Sequence, residues 1–166
     1  MDQGPAQGMS LICIHRTGEK MSRLQWSDAL SLDMPAMDAG LKTFVTLLDL
    51  AHEAPDTSLV SRWRDLVLHT AHVFEREDRW MRTSLFPSAH IHITQHKVVL
   101  DVMQEGLKAG ESGDLALIRK MADELGQWFA NHSQSMDAAL ALHLRKTGYD
   151  PATGVLSMPD DIALAA

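Results

Sequence analysis

The chain has 166 residues, with 15 lysines and arginines against 22 aspartates and glutamates, and a formal net charge of −7. This length suits one domain with a sizeable core, and the acidic balance argues against nucleic acid or an anionic membrane as partner, because phosphate binding requires a basic face. The single cysteine, Cys13, excludes a disulfide framework and a cysteine-based zinc site. No apolar run reaches membrane-spanning length, so we expect a cytoplasmic protein.

Two helices are predicted in the first half of the chain, from apolar residues that recur every three or four positions. The first runs from about Asp38 to His52 and the second from about Thr57 to Met81. Their inward stripes are Met37, Leu41, Phe44 and Leu48 in the first helix, and Leu59, Trp63, Leu66, Thr70, Val73, Glu77 and Trp80 in the second.

Two further helices are predicted in the second half. The third has Ser88 as its N-cap and Gly110 beyond its end, and the fourth extends from Gly113-Asp114 to Gly148. Their inward stripes are Ala89, His92, His96, Val99 and Met103 in the third helix, and Leu115, Ile118, Ala122, Leu125, Phe129, His132, Met136, Ala139 and His143 in the fourth. The seven-residue repeat of the last stripe is typical of a packed bundle helix.

Short connections between these helices predict how they are arranged. Successive helices joined by short loops are antiparallel neighbours, so we predict an all-α, up-down-up-down four-helix bundle. The predicted domain covers residues 24–149. It lies between an N-terminal tail, residues 1–23, and an irregular C-terminal extension, residues 150–166.

Polar side chains on the inward stripes point to a metal site. His92, His96, His132 and Glu77 all face the predicted bundle axis, where a carboxylate or an imidazole requires a partner. One shared cation would satisfy all four, and this donor set suits iron, zinc or manganese. The competing interpretation is ordinary, because a single histidine on an apolar stripe is usually a hydrogen-bonded core residue.

Asp137 is a further candidate whose spacing is unfavourable. It follows His132 by five residues and would point about 140° away on a regular helix. A local π-type bulge, which is common at functional sites, would bring the two side chains together.

Five sequence blocks carry a resemblance to a known family. They are "WSDALSLDMPAMDAGLK" (Trp26–Lys42), "VFEREDRWM" (Val73–Met81), "LFP" (Leu85–Pro87), "HITQH" (His92–His96) and "WFANHSQSMD" (Trp128–Asp137). In this order they resemble the bacterial hemerythrins, four-helix bundles that hold two irons and bind dioxygen. The resemblance covers about Leu24 to Tyr149.

The resemblance implies a set of ligands and also a departure from the family pattern. It implies that His92, His96 and His132 bind one iron, while Glu77 and Asp137 bridge to a second. At the positions of the two histidines that normally complete the second iron, this chain has Leu41 and Val73. Since dioxygen binds at that second iron in the family, the resemblance implies the fold and half of the site but not the usual activity.

Three hypotheses about function follow. The first is a non-haem metal-binding protein that holds one iron, or alternatively zinc, and binds or senses O2, NO or peroxide. In the second, His69 or His72 substitutes for the lost ligands and a two-iron oxygen-binding site survives. In the third, the bundle is a metal-free module for an unknown protein partner. Enzymatic activity is not expected, because the chain has no Glu-x-x-His pair of the bundle oxidases and no hydrolase or nucleotide-binding motif.

Overall fold

The computed structural model describes residues 23–156, which form an all-α antiparallel four-helix bundle and confirm the predicted fold class. The helices are α1 (Pro35–Glu53), α2 (Asp56–Thr83), α3 (Ala89–Glu111) and a fourth made of α4 (Leu115–His132), a π-helical segment (Ser133–Asp137) and α5 (Ala138–Thr147). Each helix packs against the next, and α4 packs back against α1, which closes the bundle. A 3-10 turn (Asp28–Leu30) precedes α1.

Local sequence signals explain most helix ends. Pro35 occupies the start of α1, where its missing N–H has no helical partner to lose. The carboxylate of Asp114 accepts a hydrogen bond from the Leu117 N–H at 3.1 Å and caps α4, and Gly148 ends α5 at φ 64°. The predicted end of the third helix was wrong, because α3 continues through Gly110, and Gly113 at φ 101° makes the turn.

The inward stripes predicted for the first two helices are confirmed, since every residue in them is buried. Two contacts tie the helices together. Phe44 of α1 stacks on Phe129 of α4 with ring centroids 3.8 Å apart, and the Trp63 indole N–H donates to the Met103 carbonyl oxygen at 3.0 Å. The polar atom of the largest buried side chain is thus satisfied within the core.

The fourth helix changes register at its π-helical segment. Up to His132 the predicted stripe faces inward, but beyond it the prediction was wrong: Ala139 is exposed and His143 is half-buried. The buried residues there are Asp137, Leu140, Ala141 and Leu144. One extra residue in the turn rotates the following helix, so the inward face moves by one position.

The chain beyond the bundle forms a small hairpin. β1 (Tyr149–Asp150) pairs antiparallel with β2 (Val155–Leu156), so the start of the predicted irregular extension is ordered as strands. Residues 157–166, and the predicted N-terminal tail except Arg23, lie outside the described residues. None of the described helices combines the length and apolar composition required to cross a membrane.

Replacing each of two helical glycines by alanine should change the free energy of unfolding in opposite directions. A Cβ at Gly110 would collide with Cδ1 of buried Ile118, whereas at Gly126 it would lie 3.5 Å from Leu48 Cδ2, an ordinary contact. We expect Gly110→Ala to lower the free energy of unfolding by about 1–3 kcal/mol. Gly126→Ala should raise it by about 0.5–1 kcal/mol, because alanine loses less backbone entropy in a helix. Urea denaturation of both variants measures this, and equal effects would contradict the packing.

Deleting Ser135 tests the origin of the register change. The deletion leaves Asp137 four residues after His132, the spacing of a regular helix, and keeps Leu140 and Leu144 inward. We expect a folded protein whose metal-free form melts no lower than the wild type. Deleting exposed Gln127 from regular helix is the control, and it should unfold the chain because it turns the remaining helix by about 100°. Unfolding of both deletions would contradict this account.

Candidate metal centre

Four buried side chains from two neighbouring helices converge at one point of the bundle core. His92 and His96 lie one turn apart on α3, His132 ends α4, and Asp137 ends the π-helical segment. No more than 3% of any of these residues is exposed. Within residues 23–156 they are the only group of three or more His, Cys, Asp or Glu residues with ligand atoms close enough for one metal ion, all within 4.8 Å of one another.

The separations of the donor atoms fit a shared ion. His132 Nε2 lies 3.0 Å from His92 Nε2 and 3.2 Å from His96 Nε2. Asp137 Oδ1 lies 3.1 Å from His92 Nε2 and 3.2 Å from His132 Nε2. Two donors that bind one ion at about 2.1 Å and at right angles lie about 3 Å apart, so the residues present fit a metal.

The π-helical segment makes this convergence possible. On a regular helix His132 and Asp137 would point to different sides, but both line the same cavity here. The bulge that the five-residue spacing suggested is therefore present. It is the local feature that adds a carboxylate to the three imidazoles.

The outer nitrogens of two histidines show why the cavity requires positive charge. His96 Nδ1 donates to Asp78 Oδ1 at 2.8 Å, and His132 Nδ1 donates to Gln95 Oε1 at 3.2 Å. Both oxygens can only accept, so each Nδ1 carries a proton. If the two rings carry no second proton, their bare Nε2 lone pairs face each other and repel. A proton bound to one Nε2 would relieve the repulsion only between that nitrogen and one neighbour. A single metal ion would satisfy all the inner nitrogens at once.

Glu77 lies beside this group as a second buried carboxylate. Its Oε2 is 3.4 Å from His96 Nε2, and the residue is 1% exposed. Neither oxygen accepts a hydrogen bond from the part of the chain that the structure describes. Burial, and then the negative charge of Asp137, raise the pKa of Glu77 well above its ordinary value. A carboxylate so placed requires either a proton or a nearby cation.

The other groups of the cluster have pKa values displaced by their surroundings. Burial alone would raise the pKa of Asp137. Hydrogen bonds from His132 and His92, and the positive charge of those rings when protonated on Nε2, outweigh burial and lower the pKa to about 2. Burial lowers the pKa of His96, although its bond to Asp78 opposes this shift. Asp137 is thus an anion and His96 favours its neutral form, which are the protonation states that bind metals.

Sequence reasoning missed the residues that hold the imidazole rings. Phe74 stacks on His96 with ring centroids 3.9 Å apart, and Trp128 stacks on His132 at 4.5 Å. Asp78 directly follows Glu77 in the chain, and that adjacency was the available signal for a second carboxylate near His96. Trp128 lies one turn before His132 and was equally visible, but spacing alone did not distinguish it from ordinary core.

The two positions aligned with the family's further histidine ligands carry apolar side chains. Leu41 is 1% exposed and Val73 is 8% exposed, and Val73 lies one helical turn before Glu77 on the same face of α2. A Cβ on Gly40 would lie 3.1 Å from Val73 Cγ2, so α1 and α2 approach closely at this level. The two positions where the resemblance implied lost ligands are therefore filled with packed hydrocarbon.

The two suggested substitute histidines lie apart from the cluster. His69 Nε2 donates to the Gly40 carbonyl oxygen at 2.9 Å, and His72 is exposed on the outer surface of α2. Neither belongs to the group of converging donor atoms found among the described residues. His143, half-buried near the bundle end, donates to the Ser84 carbonyl oxygen at 2.9 Å.

Comparison with known proteins agrees with this arrangement. No protein-family model matches the chain. Over 130 residues it is 36% identical to a bacteriohemerythrin from Ralstonia nicotianae, and the match covers 78% of this chain and 95% of that protein. A helical bundle with a buried cluster of three histidines and an aspartate, matched over nearly the whole length of such a relative, places this chain in the bacteriohemerythrin family.

Proposed function

We propose that this hemerythrin-like metal-binding protein holds one iron through His92, His96, His132 and Asp137, with Glu77 at the edge of the site, and uses it to bind or sense O2, NO or peroxide. The observation that supports this proposal is the convergence of three imidazole nitrogens and a carboxylate oxygen in the buried core of the bundle. Reversible dioxygen storage of the family's kind draws two electrons from two irons, so we expect it to be weak or absent.

The donor set and the relative together favour iron. Imidazole nitrogen and carboxylate oxygen suit both iron and zinc, and zinc remains the alternative. Iron is favoured because the relative is a bacteriohemerythrin. The preference thus comes from family membership, while the presence of a cation site comes from the geometry of the residues.

The chain's own residues would divide the work at this site. Asp137 and the three histidines hold the ion, and the hydrogen bonds to Asp78 and Gln95 orient two of the imidazoles. Leu41 and Val73 are buried and apolar, so they offer no ligand atom, and at the positions the resemblance gives them they would suit small uncharged molecules. Bound iron would supply an open coordination position and a reversible one-electron change.

Metal loading of matched histidine variants tests the site. Under anaerobic conditions the wild type should bind one Fe2+ per chain. His132→Ala should weaken binding by more than about 100-fold, beyond the 10–100-fold loss caused by removing a ligand's hydrogen-bond partner. His143→Ala, which removes a half-buried histidine hydrogen-bonded to Ser84, should bind normally. Equal losses in the two variants, or no metal in the wild type, would refute the site.

Nitric oxide tests the proposed ligand class. Anaerobic addition of NO should change the visible absorption of the iron-loaded wild type, because an open position remains beside the apolar residues. The His132→Ala protein should show no such change. An iron-loaded wild type that is indifferent to NO, O2 and peroxide would leave a metal site without the proposed activity.

Restoring ligands at the apolar side tests the proposal that half of the site is lost. Leu41→His combined with Val73→His should allow a second iron to bind and produce the absorption of an oxo-bridged diiron centre. Leu41→His with Val67→His is the control, because it also replaces a buried leucine and a buried valine but places the second histidine away from Val73. A folded double variant that gains no metal would show that positions 41 and 73 are not the lost ligand positions.

A further inference from the structure

We propose that Asp78 is a positioning residue that makes His96 the strongest donor of the three histidines and links the metal site to the protein surface. The inference rests on the proposed metal site and goes beyond it, because Asp78 is not a ligand. Its carboxylate acts through the His96 ring, whose Nδ1 it contacts at 2.8 Å.

One turn of α2 holds the His96 ring on three sides. Phe74 stacks on the face of the ring with an interplanar angle of 4°, and Glu77 Oε2 lies 3.4 Å from its Nε2. Asp78 accepts a hydrogen bond from its Nδ1. These three residues have i, i+3 and i+4 spacing, so they project from adjacent positions on the helix surface. The orientation of His96, a residue of α3, is therefore set largely by α2.

The three histidines differ in what accepts the proton on the outer nitrogen. His96 donates to a carboxylate, and His132 donates to the neutral amide oxygen of Gln95 at 3.2 Å. His92 Nδ1 is buried and makes no hydrogen bond with any residue from 23 to 156. A bond to an ionised acceptor is the stronger kind and places more electron density on the inner nitrogen. Donor strength should therefore fall from His96 through His132 to His92.

Asp78 also connects His96 to solvent. Its side chain is 18% exposed, while that of His96 is 3% exposed, and it lies in a groove between α2 and α3. Arg82, one turn further along α2, approaches the other carboxylate oxygen at 3.4 Å and is 63% exposed. A solvent-screened partner of this kind perturbs Asp78 only weakly. The hydrogen bond to His96, rather than the ion pair, should dominate the effect on the metal.

Three variants separate these contributions. Asp78→Asn keeps an acceptor oxygen but removes the charge, and Gln95→Glu places a charge beside His132. Arg82→Gln removes the ion pair and leaves the bond to His96. Each protein is titrated with Zn2+ against a chromophoric chelator, and the midpoint potential of its iron-loaded form is measured. The melting temperature of the metal-free proteins reports on folding.

Asp78→Asn should weaken Zn2+ binding about 10–100-fold and raise the midpoint potential, since a poorer donor favours the reduced ion. Gln95→Glu should shift both quantities in the opposite direction, and Arg82→Gln should change affinity by no more than about fivefold. Unchanged affinity and potential in a folded Asp78→Asn protein would overturn this inference and leave the proposed function intact. Equal effects of Asp78→Asn and Arg82→Gln would also overturn it. A wild type that binds no metal would overturn both.

Discussion

Crowding of three imidazole nitrogens in the buried core is the constraint on which the other features of this bundle depend. His132 Nε2 lies within 3.2 Å of the inner nitrogens of both His92 and His96, and the outer nitrogens of His96 and His132 are committed as donors. Such an arrangement is unfavourable for neutral rings, because their lone pairs repel and burial separates them from solvent. The bundle tolerates it if a cation is shared, and the buried carboxylates of Asp137 and Glu77 supply balancing negative charge.

The backbone departs from regular helix where the cluster requires it. The π-helical segment at Ser133–Asp137 brings the aspartate beside His132, and the residues after it compensate by moving the inward face to Leu140 and Leu144. Aromatic rings then limit the freedom of the ligands, since Phe74 and Trp128 each stack on an imidazole. Geometry at the metal and packing of the core are in this way determined by the same residues.

Much of this could be predicted from the sequence. The stripes of α1 and α2 follow a 3.6-residue period closely enough that every residue assigned to their inward faces is buried. His92 and His96 were identifiable because residues four apart lie on the same face of a helix. The inward residues predicted beyond His132 were wrong because the seven-residue repeat was continued through the π-helical segment, which moves the inward face by one position. Asp78 and Gln95 escaped notice because hydrogen bonds between helices leave no periodic signal in a single chain.

Donor atoms for a metal come from α3, α4 and the π-helical segment, whereas Leu41 of α1 and Val73 of α2 carry none. The proposed single-metal function depends on that difference. Anomalous diffraction from crystals of the anaerobically iron-loaded protein tests this most directly. We predict one iron peak, bounded by His92, His96, His132 and Asp137. Two peaks, with the second beside Leu41 and Val73, would contradict the account, as would an absence of iron between the imidazoles.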